Sequence, residues 1–76
     1  MELTPREFAI LELLVRRPGR IVTRDEILRH AWDDAAEPRS NVIEVLVNRI
    51  RQKVDRPFGV DRIETIRGVG YRLRTP

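Results

Sequence analysis

The chain of 76 residues has no cysteine and a single histidine, His30. Disulfide staples and thiolate metal sites are therefore excluded, and one imidazole cannot assemble a histidine cluster, so stability must come from packing alone. No apolar run approaches the roughly 18 residues that cross a bilayer. The start, where Glu2 and Glu7 flank Pro5 and Arg6, does not have the charge pattern of a signal peptide. These absences point to a cytoplasmic chain with no membrane partner.

Catalytic machinery is missing too. Asp33 and Asp34 stand in a loop with no His or Cys nearby, and His30 closes a helix, where its charge suits the dipole better than it suits a general base. Gly68-Val69-Gly70 lacks the further glycine, the following helix and the lysine of a phosphate cradle. Neither an enzyme nor a cofactor or metal protein is expected.

What is present suits one small domain across residues 1–76, since so short a chain buries only a modest core. Hydrophobic residues at 41% and charged residues at 36% are ordinary for a folded chain and too apolar for a disordered one. The net charge of +3 is unevenly spread. Residues 1–38 carry six Arg against eight acidic residues, and residues 39–76 carry nine Arg and Lys against four. The second half is the anion-facing half.

Local grammar sets the helices. Leu3-Thr4-Pro5-Arg6-Glu7-Phe8 places Thr4 at an N-cap, Pro5 at the first helical position, Glu7 where it closes a capping box, and Leu3 with Phe8 at staple spacing. This helix ends at Arg16-Arg17-Pro18-Gly19. Its Phe8, Ile10, Leu11, Leu13, Leu14 and Val15 leave a narrow polar slice, so it needs cover on more than one side. Thr23 and Glu26 repeat the capping box and start a second helix, from Arg24 to about Trp32, with Ile27, Leu28, Ala31 and Trp32 buried. Residues 33–39, acidic and interrupted by Pro38, read as a loop. Ser40 then caps a third helix, 41–54, whose Ile43, Leu46, Val47, Ile50 and Val54 form one stripe. A turn at residues 55–59 leads to two short strands within residues 62–74 around a glycine-containing tip.

The face opposite that stripe collects Asn41, Glu44, Val45, Asn48, Arg49, Arg51 and Gln52. Amides and guanidinium groups can read base edges, and a small apolar side chain can meet a thymine methyl, so these are the residue types of a major-groove helix. The alternative is a solvated surface helix with one stray valine. At the hairpin, Arg67 stands beside Gly68 with no bulky neighbour, as a cation entering a narrow minor groove would, or as any solvated turn arginine does. Arg72 alternates with Tyr71 and Leu73, so one strand face packs while the other offers charge to phosphates. Tyr71, with no second aromatic beside it, reads as core, and Trp32 covers the core with its indole N–H as a candidate phosphate donor.

The order of parts, together with Leu3-Thr4-Pro5-Arg6-Glu7-Phe8, Arg24-Asp25-Glu26-Ile27-Leu28, Ala31-Trp32, Asn48-Arg49-Ile50-Arg51-Gln52-Lys53 and Ile66-Arg67-Gly68-Val69-Gly70-Tyr71-Arg72, resembles the C-terminal effector domain of OmpR/PhoB response regulators. The resemblance implies a mainly helical α+β fold, a winged helix-turn-helix of three helices and a C-terminal hairpin wing. It implies the output domain of a two-component phosphorelay, binding double-stranded DNA in the nucleoid. In it, 41–54 is the recognition helix, with Val45 and Arg49 at bases and Asn48 and Arg51 near the backbone, and Arg67 is the wing arginine. Asp33, Asp34 and Glu37 fall in the loop through which family members touch RNA polymerase. Beside these, Arg39 and Lys53 stand with Trp32 as candidate phosphate contacts. Homodimers on tandem half-sites are implied as well. A winged-helix protein-interaction module is the rival reading.

The resemblance implies a small sheet packed on the first helix and a receiver domain before it; the residues given hold neither, with Met1-Glu2-Leu3 as the expected remnant of the sheet. Exposed apolar surface on the first helix and a tendency to self-associate are expected.

Overall fold

The computed structural model describes residues 2–32 and 41–74. Both capping boxes form. In α1 (Pro5–Arg16) the Thr4 hydroxyl accepts from the Glu7 amide at 3.2 Å while the Glu7 carboxylate accepts from the Thr4 amide at 2.9 Å. In α2 (Arg24–Ala31) Thr23 and Glu26 make the same exchange at 3.2 and 3.3 Å. Two otherwise orphaned amides at each helix start are thereby satisfied, and each helix begins at one defined residue.

The third helix, α3 (Val42–Val54), starts one residue later than its sequence suggests, with Asn41 as the cap residue and no side-chain capping bond. The cap assigned to Ser40 lies outside the described residues. After α3, one 3-10 turn at Arg56–Phe58 stands where a simple turn is expected.

The sheet corrects the hairpin reading. Besides β2 (Ile63–Ile66) and β3 (Gly70–Leu73), a third strand, β1 (Ile21–Thr23), pairs antiparallel with β3, giving the order β1-β3-β2. Three residues are too few for an alternation signal, and Thr23 both ends β1 and caps α2, so the capping grammar hides the strand. As a result β3 is held on both edges: Tyr71 faces Val22 on one side and Thr65 on the other. The wing is the outer part of a sheet rooted beside α2.

Gly70 is required by space. A Cβ there would lie 2.0 Å from the Val22 carbonyl oxygen, because the backbone of the paired strand β1 comes close to it at Val22 and Thr23. Gly68 is required by conformation, with φ of 76° in the turn closed by the Val69 amide on the Ile66 carbonyl.

Ile10, Leu14, Val22, Ile27, Ile43, Val47, Ile50 and Ile63 are essentially inaccessible and make one core, flanked by Leu13, Leu46, Trp32 and Tyr71. Two carboxylates are buried with it. Asp55 accepts the amides of Arg62 and Ile63, both at 3.1 Å, which ties the end of α3 to the start of β2. Glu7 receives Lys53 Nζ at 2.7 Å. Burial opposes its ionisation, but the Lys53 hydrogen bond, the Thr4 backbone bond and the Lys53 charge prevail and hold its carboxyl below the ordinary value.

The outer side of α1 has no cover among the described residues. Phe8 and Val15 are 57% and 55% exposed, in keeping with the breadth of apolar surface on this helix. Among the described residues, no helix is long and apolar enough to cross a membrane.

Candidate nucleic-acid interface

Four buried side chains, Ile43, Leu46, Val47 and Ile50, pin α3 to the core and so decide which residues turn outward. Asn41, Glu44, Val45, Asn48, Arg49 and Gln52 all come out exposed on one face. Val45, 38% accessible, sits in the middle of this polar group. The surface therefore combines amide donors and acceptors, an exposed guanidinium and a short apolar contact, the set that discriminates base edges in a wide groove.

The wing stands beside this face. Arg67 is exposed at the turn between β2 and β3. Between α3 and the wing runs an open cleft of about 290 Å³, bordered by Arg24, Glu44, Thr65, Val69 and Tyr71. Burial raises the Tyr71 hydroxyl pKa, with Glu44 adding to the rise against Arg51 and Arg24, so the phenol stays protonated and able to donate.

Not every candidate points outward unengaged. Arg51 donates through Nε and one terminal nitrogen to the Ile63 carbonyl at 3.2 and 3.0 Å, to Thr65 Oγ1 at 2.6 Å, and through the other terminal nitrogen to Asn48 Oδ1 at 3.1 Å. Arg72 forks onto the Glu64 carboxylate at 3.0 and 2.7 Å. That hydrogen bond, helped by the charges of Arg72 and Arg74 against partial desolvation, lowers the Glu64 pKa. Lys53 is occupied by buried Glu7, on the side of α3 facing α1. Trp32 is 8% exposed, with the Arg6 guanidinium 4.8 Å from its ring centre. Arg39, Asp33, Asp34 and Glu37 lie outside the described residues.

Sequence reasoning missed Arg24. It opens α2, its Nε lies 3.3 Å from Glu44 of α3, and its amide donates to the Val69 carbonyl of the wing. A basic residue directly after a cap is the one signal that could have drawn attention to it. Its position makes the acidic member of the α3 face part of an ion pair.

A three-helix unit with a wing and an outward, mixed polar helix face defines the winged-helix class. The chain belongs to the family described as "Transcriptional regulatory protein, C terminal", whose model matches residues 1–73. That family is one of transcriptional regulators, not of enzymes. The transcriptional regulatory protein TcrA of Mycobacterium tuberculosis is 53% identical over 74 residues, covering 97% of this chain and 29% of that protein. Thus the chain spans under a third of that relative's length. Among solved structures, the C-terminal domain of the nisin resistance regulator NsrR superposes with a TM-score of 0.81 at 36% identity, covering 100% of this chain and 77% of that one. The Klebsiella pneumoniae RstA DNA-binding domain, solved in complex with its RstA box, gives a TM-score of 0.77 at 27% identity, covering 96% and 73%.

Proposed function

We propose that this chain binds double-stranded DNA sequence-specifically as the output domain of a two-component response regulator. The observation that carries the reading is the outward face of α3, where Val45, Asn48, Arg49 and Gln52 stand together, opposite a fully buried seam. Inserted in the major groove, Arg49 is long enough to fork onto a guanine edge, and Val45 meets a thymine methyl. Asn48 and Gln52 supply amides to bases or phosphates, and Asn41 reaches the backbone near the helix start. Arg67 enters the adjacent minor groove, whose negative potential favours a guanidinium.

The secondary contacts are graded by how each side chain is held. Arg72 and Lys53 add positive potential near phosphates while remaining in their carboxylate pairs, and Trp32 contributes at most its ring edge. Arg39 is assigned to a phosphate, and, on the family resemblance, Asp33, Asp34 and Glu37 to RNA polymerase. Dimers on tandem half-sites and a place on the nucleoid in the cytoplasm complete the proposal.

Selection of bound duplexes from a random DNA pool tests it. A defined motif should emerge, and Arg49→Ala should lose preference at one base pair while keeping the others. A protein-interaction role for the Val45 face is not favoured. It would leave no enriched motif and a weak dependence on salt, whereas DNA affinity falls steeply with ionic strength as counterions are released.

A further inference from the structure

Arg51 makes more contacts to the wing than a residue reserved for DNA would need. From the middle of α3 it reaches the backbone of β2 at Ile63 and the side chain of Thr65, two residues nearer the wing tip, and its guanidinium lies 5.9 Å from the ring centre of Tyr71 on β3. One side chain therefore touches both wing strands from the helix, while Asp55 and Arg62 fix only the base of β2. Its remaining terminal nitrogen holds Asn48 Oδ1, which leaves the Asn48 amide nitrogen as the donor turned to other partners.

We propose that Arg51 is a positioning residue that locks the wing to the recognition helix, so that insertion of α3 in one groove sets where Arg67 falls in the next. A planar fork can hold a carbonyl, a hydroxyl and an amide at once; a lysine ammonium cannot reproduce that geometry. The lock also orients Asn48, which then reads acceptors such as a purine N7 or a phosphate oxygen. This inference rests on the DNA-binding reading for its consequence, though the lock itself is a property of the free protein.

The test has two arms. In the free protein, residual dipolar couplings of the Arg67, Gly68 and Val69 amides should fit one rigid frame with α3, and in both Arg51→Met and Arg51→Lys the wing should need a separate orientation. Unchanged couplings in both variants overturn the lock without reference to DNA. On a selected duplex, Arg67→Ala should weaken binding on the order of tenfold in the parent chain, the size of one well-placed contact. In either Arg51 background that loss should shrink to about twofold, because a loosened wing no longer delivers Arg67 in register. If Arg51→Lys restores affinity and the Arg67 effect stays tenfold, Arg51 is a phosphate contact and the proposal fails. Should Arg51→Met not fold, Thr65→Val removes one acceptor of the lock and should show the same coupling at smaller size; full additivity with Arg67→Ala overturns it. Absence of DNA binding by the parent chain counts against the DNA reading, while the couplings still decide the lock.

Discussion

Helices α1 and α3 both pack a hydrophobic seam into the same core, yet they leave opposite kinds of surface outside. On α3 the apolar residues occupy a single stripe, and the free face is polar apart from Val45. On α1 the apolar residues run past the core, so Phe8 and Val15 remain in water and Leu11 is half-covered at the edge of an open cleft of about 360 Å³. The contrast teaches that an exposed apolar residue has meaning only through its company. One valine among amides and a guanidinium fits the proposed base-reading face; Phe8, and Val15 with Leu11 at the cleft, are unsatisfied packing surface.

The largest effect that sharpens this comparison belongs to the shared core. Ile50→Ala should lower unfolding free energy by about 3 kcal/mol, read as a fall in urea midpoint, whereas Val45→Ala should leave stability within about 0.5 kcal/mol and weaken only DNA binding. Equal destabilisation by the two would mean that the faces of α3 have been confused.

Next comes the bridge between the two helices. Lys53→Met strands Glu7 without its partner and should cost about 2 kcal/mol, less than a wholly buried pair because Lys53 is partly exposed. The pH dependence follows from the lowered Glu7 pKa. Its contribution is present above the ordinary carboxylate value of 4.5 and is lost as pH falls through the lower value of the folded state. Acid titration followed by circular dichroism should show the Lys53→Met transition beginning at higher pH than the parent's. A coincident pair of curves would separate Glu7 from the acid response.

Smaller still is the loss expected on the outward face of α3. Arg49→Ala should cost roughly 1.5 kcal/mol of discrimination at one base pair, measured by competition between duplexes, with an unchanged melting temperature. Smallest in stability, within about 0.5 kcal/mol, is the double change Phe8→Ser with Val15→Ser. It should abolish binding of a hydrophobic dye and concentration-dependent association while sparing DNA affinity. Retained dye binding would locate the sticky surface elsewhere.

Helix starts were the most legible part of the sequence, because a capping box is a local exchange of two hydrogen bonds that four residues specify by themselves. The α3 seam was legible for a similar reason, since period alone sorts Ile43, Leu46, Val47 and Ile50 inward. Strand β1 was not: it exists because β3 offers it a partner some fifty residues away, and three residues cannot announce a distant pairing. Within the site, residue types pointed to the face but not to the state of each side chain. Arg51 and Arg72 look alike to Arg49 and Arg67 in the chain, and only the fold brings Thr65 and Glu64 within their reach. Arg24 escaped notice because its importance comes from Glu44, twenty positions on.

Amide chemical-shift mapping on addition of a selected duplex tests the central claim most directly. Shifts should concentrate at Val45, Asn48, Arg49 and Gln52 and at Arg67 to Val69, and leave Phe8 and Val15 unmoved. A map centred on the α1 face, with α3 silent, would contradict the account.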